Sequence, residues 1–173
     1  MSSNTDQSAT AGALADGSTT LELRIVVDDL SGPEIAALLT EHVAELATHS
    51  PAESVHALDL DALRRPEITF WSGWDGDTLA GCAALKELDN EHAEIKSMRT
   101  AATHKRRGIA SILLRHLLAE ATARGYRRVS LETGTPDFFI PAQKLYAAHG
   151  FEFCEPFGDY KPDPYSHYMT RTL

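Results

Sequence analysis

Apolar positions along this chain switch between two periods, and the switches mark where strands give way to helices. Leu21 to Val27 alternates and predicts a first strand. Ser31-Gly32-Pro33-Glu34 then has the layout of a helix start with a capping box, and Ile35, Leu38, Leu39, Val43 and Leu46 form the apolar stripe of the helix that follows. A shorter helix is expected within Val55 to Leu63, ahead of Pro66. Ile68 to Trp74 and Thr78 to Glu87 predict a hairpin across Asp75-Gly76-Asp77. Ala93 to Thr100 reads as another strand, and Ile109, Ile112, Leu113, Leu117 and Ala121 return to helical spacing until Gly125 ends it. Arg127 to Thr133 alternates again, with Val129, Leu131 and Thr133 facing one way. Pro141 suits the first turn of a further helix and Gly150 the residue just past its end. Phe151 to Cys154 and Ser166 to Thr170 supply the last two strands, joined by a loop with three prolines, Glu155 to Pro164. That loop is stiff enough to form a wall of a binding pocket.

Composition adds limits. The 173 residues can bury one sizeable core, with no repeat or second domain, and no apolar run approaches the ~20 residues of a membrane span. Met1 to Thr20 is rich in Ser, Thr, Ala and Gly and lacks the basic-then-apolar order of a secretion signal, so residues 1–20 are expected to be a disordered tail and 21–173 the folded domain. Cys82 and Cys154 have no metal-ligand spacing, and reduced thiols in a cytoplasmic protein without a metal are expected. A formal charge of −9 argues against nucleic acid as a partner, because phosphate backbones demand a basic surface.

Against that acidic background, His104-Lys105-Arg106-Arg107 stands out. It lies with Gly108 between a strand and a helix. A glycine lets the backbone approach an anion closely, the first turn of a helix offers unpaired N–H groups, and the basic side chains add charge-assisted contacts. Taken alone the pattern fits a phosphate cradle and an ordinary basic first turn equally well.

A second motif separates those readings. Lys105-x-x-Gly108-x-Ala110 is followed, one helix and one strand later, by Ala142-x-x-Leu145-Tyr146-x-x-x-Gly150-Phe151. The two together closely resemble the GNAT superfamily of acyl-CoA-dependent N-acetyltransferases, over roughly residues 21 to 173. The resemblance implies a mixed, mainly antiparallel α/β sheet of six to seven strands flanked by about four helices. It also implies acetyl-CoA as donor and an amine as acceptor. In that family the basic loop holds the pyrophosphate, which here falls on Lys105, Arg106, Arg107, Gly108, Ile109, Ala110 and Ser111. The preceding strand lends backbone groups to the pantetheine arm and thioester, here Met98, Arg99 and Thr100. Lys105 stands where the family usually has Gln or Arg. Phe139 stands where many members have an Asn that touches the cofactor arm. Family members often pair, so a homodimer is implied as well.

Transfer to an amine needs a base for the incoming ammonium and an acid for the departing thiolate. Glu94 matches the position of the catalytic glutamate in the histone-acetylating branch, which also has Glu-Ile there, and is the expected base; a strand carboxylate paired with Lys96 or Lys86 is the plain alternative. Glu132 on the adjoining strand is the reserve. Tyr146 is the expected acid, since its counterpart in the family lies near the CoA sulfur. His104 is expected to be a partly exposed loop histidine, and Cys154 to pack as a small apolar residue rather than to carry an acyl group. On the acceptor side Arg99 and Lys96 are candidates for a carboxylate and Asp159 or Glu132 for an ammonium, with Tyr160 on the same proline-rich loop; solvated surface charges explain such residues equally well. Three functions fit: acetyl transfer to a small-molecule amine, acetylation of a protein lysine or terminal amine, and a catalytically silent CoA-binding module.

Overall fold

The computed structural model describes residues 21–57 and 59–173. Its element order is β1 (Arg24–Val27), α1 (Pro33–His49), α2 (Leu60–Leu63), β2 (Ile68–Asp75), β3 (Thr78–Glu87), β4 (His92–Thr100), α3 (Ile109–Ala123), β5 (Arg128–Gly134), α4 (Ile140–Ala148), β6 (Glu152–Cys154) and β7 (Ser166–Thr172). Short 3-10 turns precede α2, α3 and α4 at Ala52–Ser54, Ala102–His104 and Asp137–Phe139. The expected tail, residues 1–20, lies outside the described residues.

The strands form one seven-stranded sheet in the order β1-β2-β3-β4-β5-β7-β6. Every neighbouring pair is antiparallel except β4 and β5. Helix α3 is the crossover that a parallel pair requires, because two parallel strands cannot be joined by a tight turn. Both faces of the sheet are covered, and β3 shows it in its side chains. Ala83 and Leu85 belong to a cluster with Leu113, Leu117, Tyr146 and Phe151, whereas Cys82 and Ala84 belong to one with Ile35, Leu38, Leu39 and Leu63. So α3 and α4 cover one face, and α1 and α2 the other.

The class and strand count agree with the sequence pattern, and the departures are local. Strand β1 begins at Arg24 rather than Leu21. The capping box does not form: Gly32 is the N-cap of α1, and Ser31 bonds to Asp29 instead, through both its backbone N–H and its hydroxyl. Val43 is 38% exposed, and the half-buried positions of that turn and the next include His42 and Leu46. Helix α2 is only one turn long. Gly150, at φ 85°, ends α4 where the sequence placed the stop; that conformation costs glycine nothing and other residues strain.

Leu117 on α3 is 1% exposed at the centre of the larger cluster. Leu117→Ala is expected to destabilise the fold by about 2–5 kcal/mol through lost apolar burial and the cavity left behind. Urea unfolding monitored by circular dichroism checks this as a lower midpoint with an unchanged slope.

Candidate active site

Strands β4 and β5 are paired only from His92–Arg128 to Ile95–Leu131, although β4 runs on to Thr100 and β5 to Gly134. Beyond Ile95 they part. Ser97, at φ 54°, marks the bend, and the register of β4 against β3 also shifts between Cys82 and Ala84. The gap opens into a cavity of about 640 Å³ that reaches from the start of α3 to the inner side of α1.

At the α3 end the wall is the basic turn. Arg106 has φ 63° and Gly108 φ 79°, so the chain takes two left-handed steps just before α3. Successive N–H groups in such a loop converge on a concavity suited to an anion, and the open first turn of α3 adds its own. A Cβ placed on Gly108 would meet nothing within 4 Å, so the space beside this backbone is free for a ligand. Lys105, Arg106, Gly108, Ile109, Ala110 and Ser111 all line the cavity, as do Met98, Arg99 and Thr100. Arg107 does not; it sits 3.5 Å from Asp75.

His104 corrects the expectation of a partly exposed loop residue. It is 4% exposed, with Nε2 2.9 Å from Asp75 Oδ2 and Nδ1 2.8 Å from Thr103 Oγ1. Its ring thus ties the basic turn to the β2–β3 hairpin. Phe139 packs its ring over Gly134, where any Cβ would collide with it, and lines the cavity beside Phe138 and Pro141.

In mid-cavity Tyr146 of α4 reaches the gap from the α3–α4 face. Its hydroxyl donates to Met98 Sδ at 3.9 Å, and burial, then the Glu132 carboxylate, push its pKa up to about 12. Glu132 reaches the cavity from β5 on the opposite face, since it alternates with Leu131 of the α3-side core. Burial raises its carboxyl to about 7, against the lowering pull of a hydrogen bond from Ser166 Oγ at 2.9 Å and of the Lys96 ammonium.

Glu94 is placed differently. It is 2% exposed and does not line the cavity. Its Oε1 lies 3.4 Å from Lys96 Nζ, and its Oε2 has no partner. Lys96 does line the cavity and donates to the Tyr160 hydroxyl at 3.0 Å. Burial, then the Glu94 charge, raises Tyr160 well above the ordinary tyrosine value. Asp159 is exposed and outside the cavity. Of the proline-rich loop, Tyr160 is the cavity-lining residue.

The α1 end holds groups that the sequence motifs did not mark: His42 and Glu45 of α1, and Ser54 and His56 of the segment before α2. Arg99 pairs with Glu45 and, at 3.4 Å, with Glu41. Burial, then the Arg99 charge, lowers His42 to about 4, so its ring is neutral at pH 7. One signal for His42 was available, a polar residue four positions after Leu38 on the buried stripe of α1. His56 and Ser54 carried none, because tertiary folding alone brings their segment to the cavity.

Neither cysteine borders the cavity. Cys82 is fully buried with its thiol pushed up to about 12 by that burial, and Cys154 lies on β6. Among the described residues no helix is long and apolar enough to cross a membrane.

The model of the acetyltransferase (GNAT) family matches residues 35–151. The uncharacterized N-acetyltransferase YsnE of Bacillus subtilis is 56% identical over 151 residues, spanning 87% of this chain and all 100% of that protein. The uncharacterized N-acetyltransferase YedL of Escherichia coli is 51% identical over 149 residues, 86% of this chain and 94% of its own. A GNAT family acetyltransferase of Elizabethkingia anophelis, solved with acetyl-CoA bound, has the same fold with a TM-score of 0.64 at 19% identity, over 87% of this chain and 98% of that one. With its wedge between β4 and β5, its basic turn ahead of α3 and these relatives, the chain belongs to the GNAT family of N-acetyltransferases.

Proposed function

We propose that this protein moves the acetyl group of acetyl-CoA directly to the primary amine of a small molecule in a ternary complex, with Glu132 as base and Tyr146 as acid. One observation carries this reading: a single cavity has the phosphate-type turn at one end and, farther in, a carboxyl near pKa 7 facing a buried phenol. The turn suits the CoA pyrophosphate, and the unpaired inner edge of β4 at Met98 to Thr100 suits the pantetheine arm. Acetyl-CoA supplies the activated acyl group.

An amine reaches the site mostly as an ammonium and cannot attack until one proton leaves. Glu132, with a pKa near the working pH, takes that proton. The amine nitrogen then forms a bond to the thioester carbonyl carbon as the C–S bond breaks. Tyr146 hands its proton to the departing thiolate and recovers one from the nitrogen, which leaves an N-acetyl product, CoA as free thiol and one proton on Glu132. A phenol near 12 remains protonated until the thiolate develops, and transfer to a thiolate whose conjugate acid lies near 8.5 is downhill only when coupled to loss of the nitrogen proton. Glu94 serves instead as the fixed counter-charge of Lys96. Direct transfer is further supported by the position of both thiols away from the cavity. A small acceptor is proposed over a protein lysine because the acceptor end is a concave space lined by Tyr160, His56 and α1.

Glu132→Gln should lower turnover by ~10²-fold or more and remove the acidic limb of the pH–rate profile near 7, while CoA affinity stays close to that of the parent. The sign is fixed by the role: a base raised to about 7 works above that pH and fails below it. If Glu94→Gln removes the limb and Glu132→Gln keeps it, the base is Glu94.

Tyr146→Phe keeps the ring and deletes the hydroxyl. A fall in kcat of ~10- to 10³-fold with little change in the acetyl-CoA KM is expected, read by release of free thiol.

Gly108→Glu should abolish CoA binding in calorimetry, both because φ 79° strains any other residue and because a carboxylate would face the pyrophosphate. Unchanged affinity in a folded variant would place the pyrophosphate elsewhere.

A further inference from the structure

Three buried nitrogens at the acceptor end have no hydrogen-bond partner: Arg99 Nε, His42 Nδ1 and His56 Nε2. They come from three separate pieces of chain, β4, α1 and the segment before α2, yet all three residues line the one cavity. Buried polar atoms in folded proteins are nearly always paired, so three orphans at one end of a binding cavity mark what its ligand must provide. The Arg99 side chain is only 10% exposed, and its terminal nitrogens are taken by Glu45 and Glu41, which fixes the guanidinium with its Nε–H left over. Nε–H can only donate. His42, adjacent enough for the Arg99 charge to act on it, is neutral and can donate from Nδ1. His56 Nε2 stands 3.9 Å from Asp163 Oδ2, too far to hydrogen bond. An ammonium or an aliphatic chain leaves Arg99 Nε–H unpaired, because neither offers an acceptor atom. A carboxylate does, with about four lone-pair sites.

Resting on the acetyl-transfer reading above, we infer that the acceptor is an amine that also carries a carboxylate, an amino acid or a close analogue, with the carboxylate held by Arg99 Nε and His42 and the amine beside Glu132. Lys96 is matched by Glu94 and Arg99 by Glu45, and a zwitterionic acceptor brings no net charge of its own. Glu45 pairs with Nη1 and Glu41 with Nη2 of the guanidinium, and neither takes Nε–H. His56, beside the edge of the Tyr160 ring at 5.2 Å, bounds the space left for the rest of the molecule.

The test is a panel of L-amino acids set against their carboxamides and their decarboxylated amines, with release of free thiol from acetyl-CoA as the readout. Sites built to hydrogen-bond a substrate group discriminate strongly against analogues that lack it. For at least one side chain the acid should exceed both partners in kcat/KM by about 10²-fold. In Arg99→Lys, which retains a cation for Glu45 but has no Nε–H, and in His42→Phe, which keeps a ring without nitrogen, that ratio should shrink at least tenfold. Near-UV circular dichroism establishes that each variant is folded, and the ratio in the parent enzyme decides the matter even if one is not. Amides or decarboxylated amines turned over as fast as the acids would overturn the carboxylate while leaving acetyl transfer to small amines intact. No thiol release with any member of the panel would remove both.

Discussion

The separation of β4 from β5 after Ile95 and Leu131 is the constraint on which the site depends. A continuous parallel ladder would close the middle of the sheet and bury the edge of β4 in hydrogen bonds. Ser97 instead takes a left-handed conformation, costly for a residue with a Cβ, and β4 turns away while its other edge keeps pairing with β3 through Arg99 and Thr100. The edge facing the gap keeps backbone groups that need partners. An extended chain with amide groups of its own, such as a pantetheine arm, supplies them in the manner of an added strand.

Two glutamates near this gap differ in what their surroundings leave them able to do. Glu94 and Glu132 lie on the same face of neighbouring strands, and each is largely removed from water. Glu94 has the Lys96 ammonium 3.4 Å away and does not border the cavity. Glu132 has a neutral serine hydroxyl as its direct partner and feels Lys96 only at a distance, so burial dominates and its affinity for a proton rises. A group that can gain and lose a proton near neutral pH is the one suited to deprotonate an ammonium.

Much of this was legible in the chain because it is local. Periodicity placed the helices and most strand boundaries, and two short motifs marked a basic turn and a tyrosine that both line the cavity. The α1 end of the cavity was not legible, for reasons visible in single residues. Strand alternation puts Glu94 and Glu132 on one face but says nothing of which is covered by Tyr160 and Lys96. His42 is half-buried and lines the cavity, whereas the sequence pattern assigned burial to its neighbour Val43, which is exposed. His104 was expected to be a partly exposed loop residue, yet Asp75, far off in sequence, holds it inside. Ser31-x-x-Glu34 had the composition of a capping box, but Asp29 competes for the serine and wins. Each miss comes from a partner distant in the chain or from a local bond that composition does not rank.

The same splay would let the proposed acid and base, mounted on opposite faces of one sheet, serve one reaction. Glu132 belongs to the α1 face and Tyr146 to the α4 face, and in an unbroken sheet the backbone would stand between them. The gap removes that barrier at the level of Met98, whose sulfur already touches the Tyr146 hydroxyl. A thioester threaded through it would present its carbonyl carbon to an amine arriving from the α1 side and its sulfur to the phenol on the other. Such a layout needs no covalent relay through a side chain, and both cysteines of the chain lie outside it.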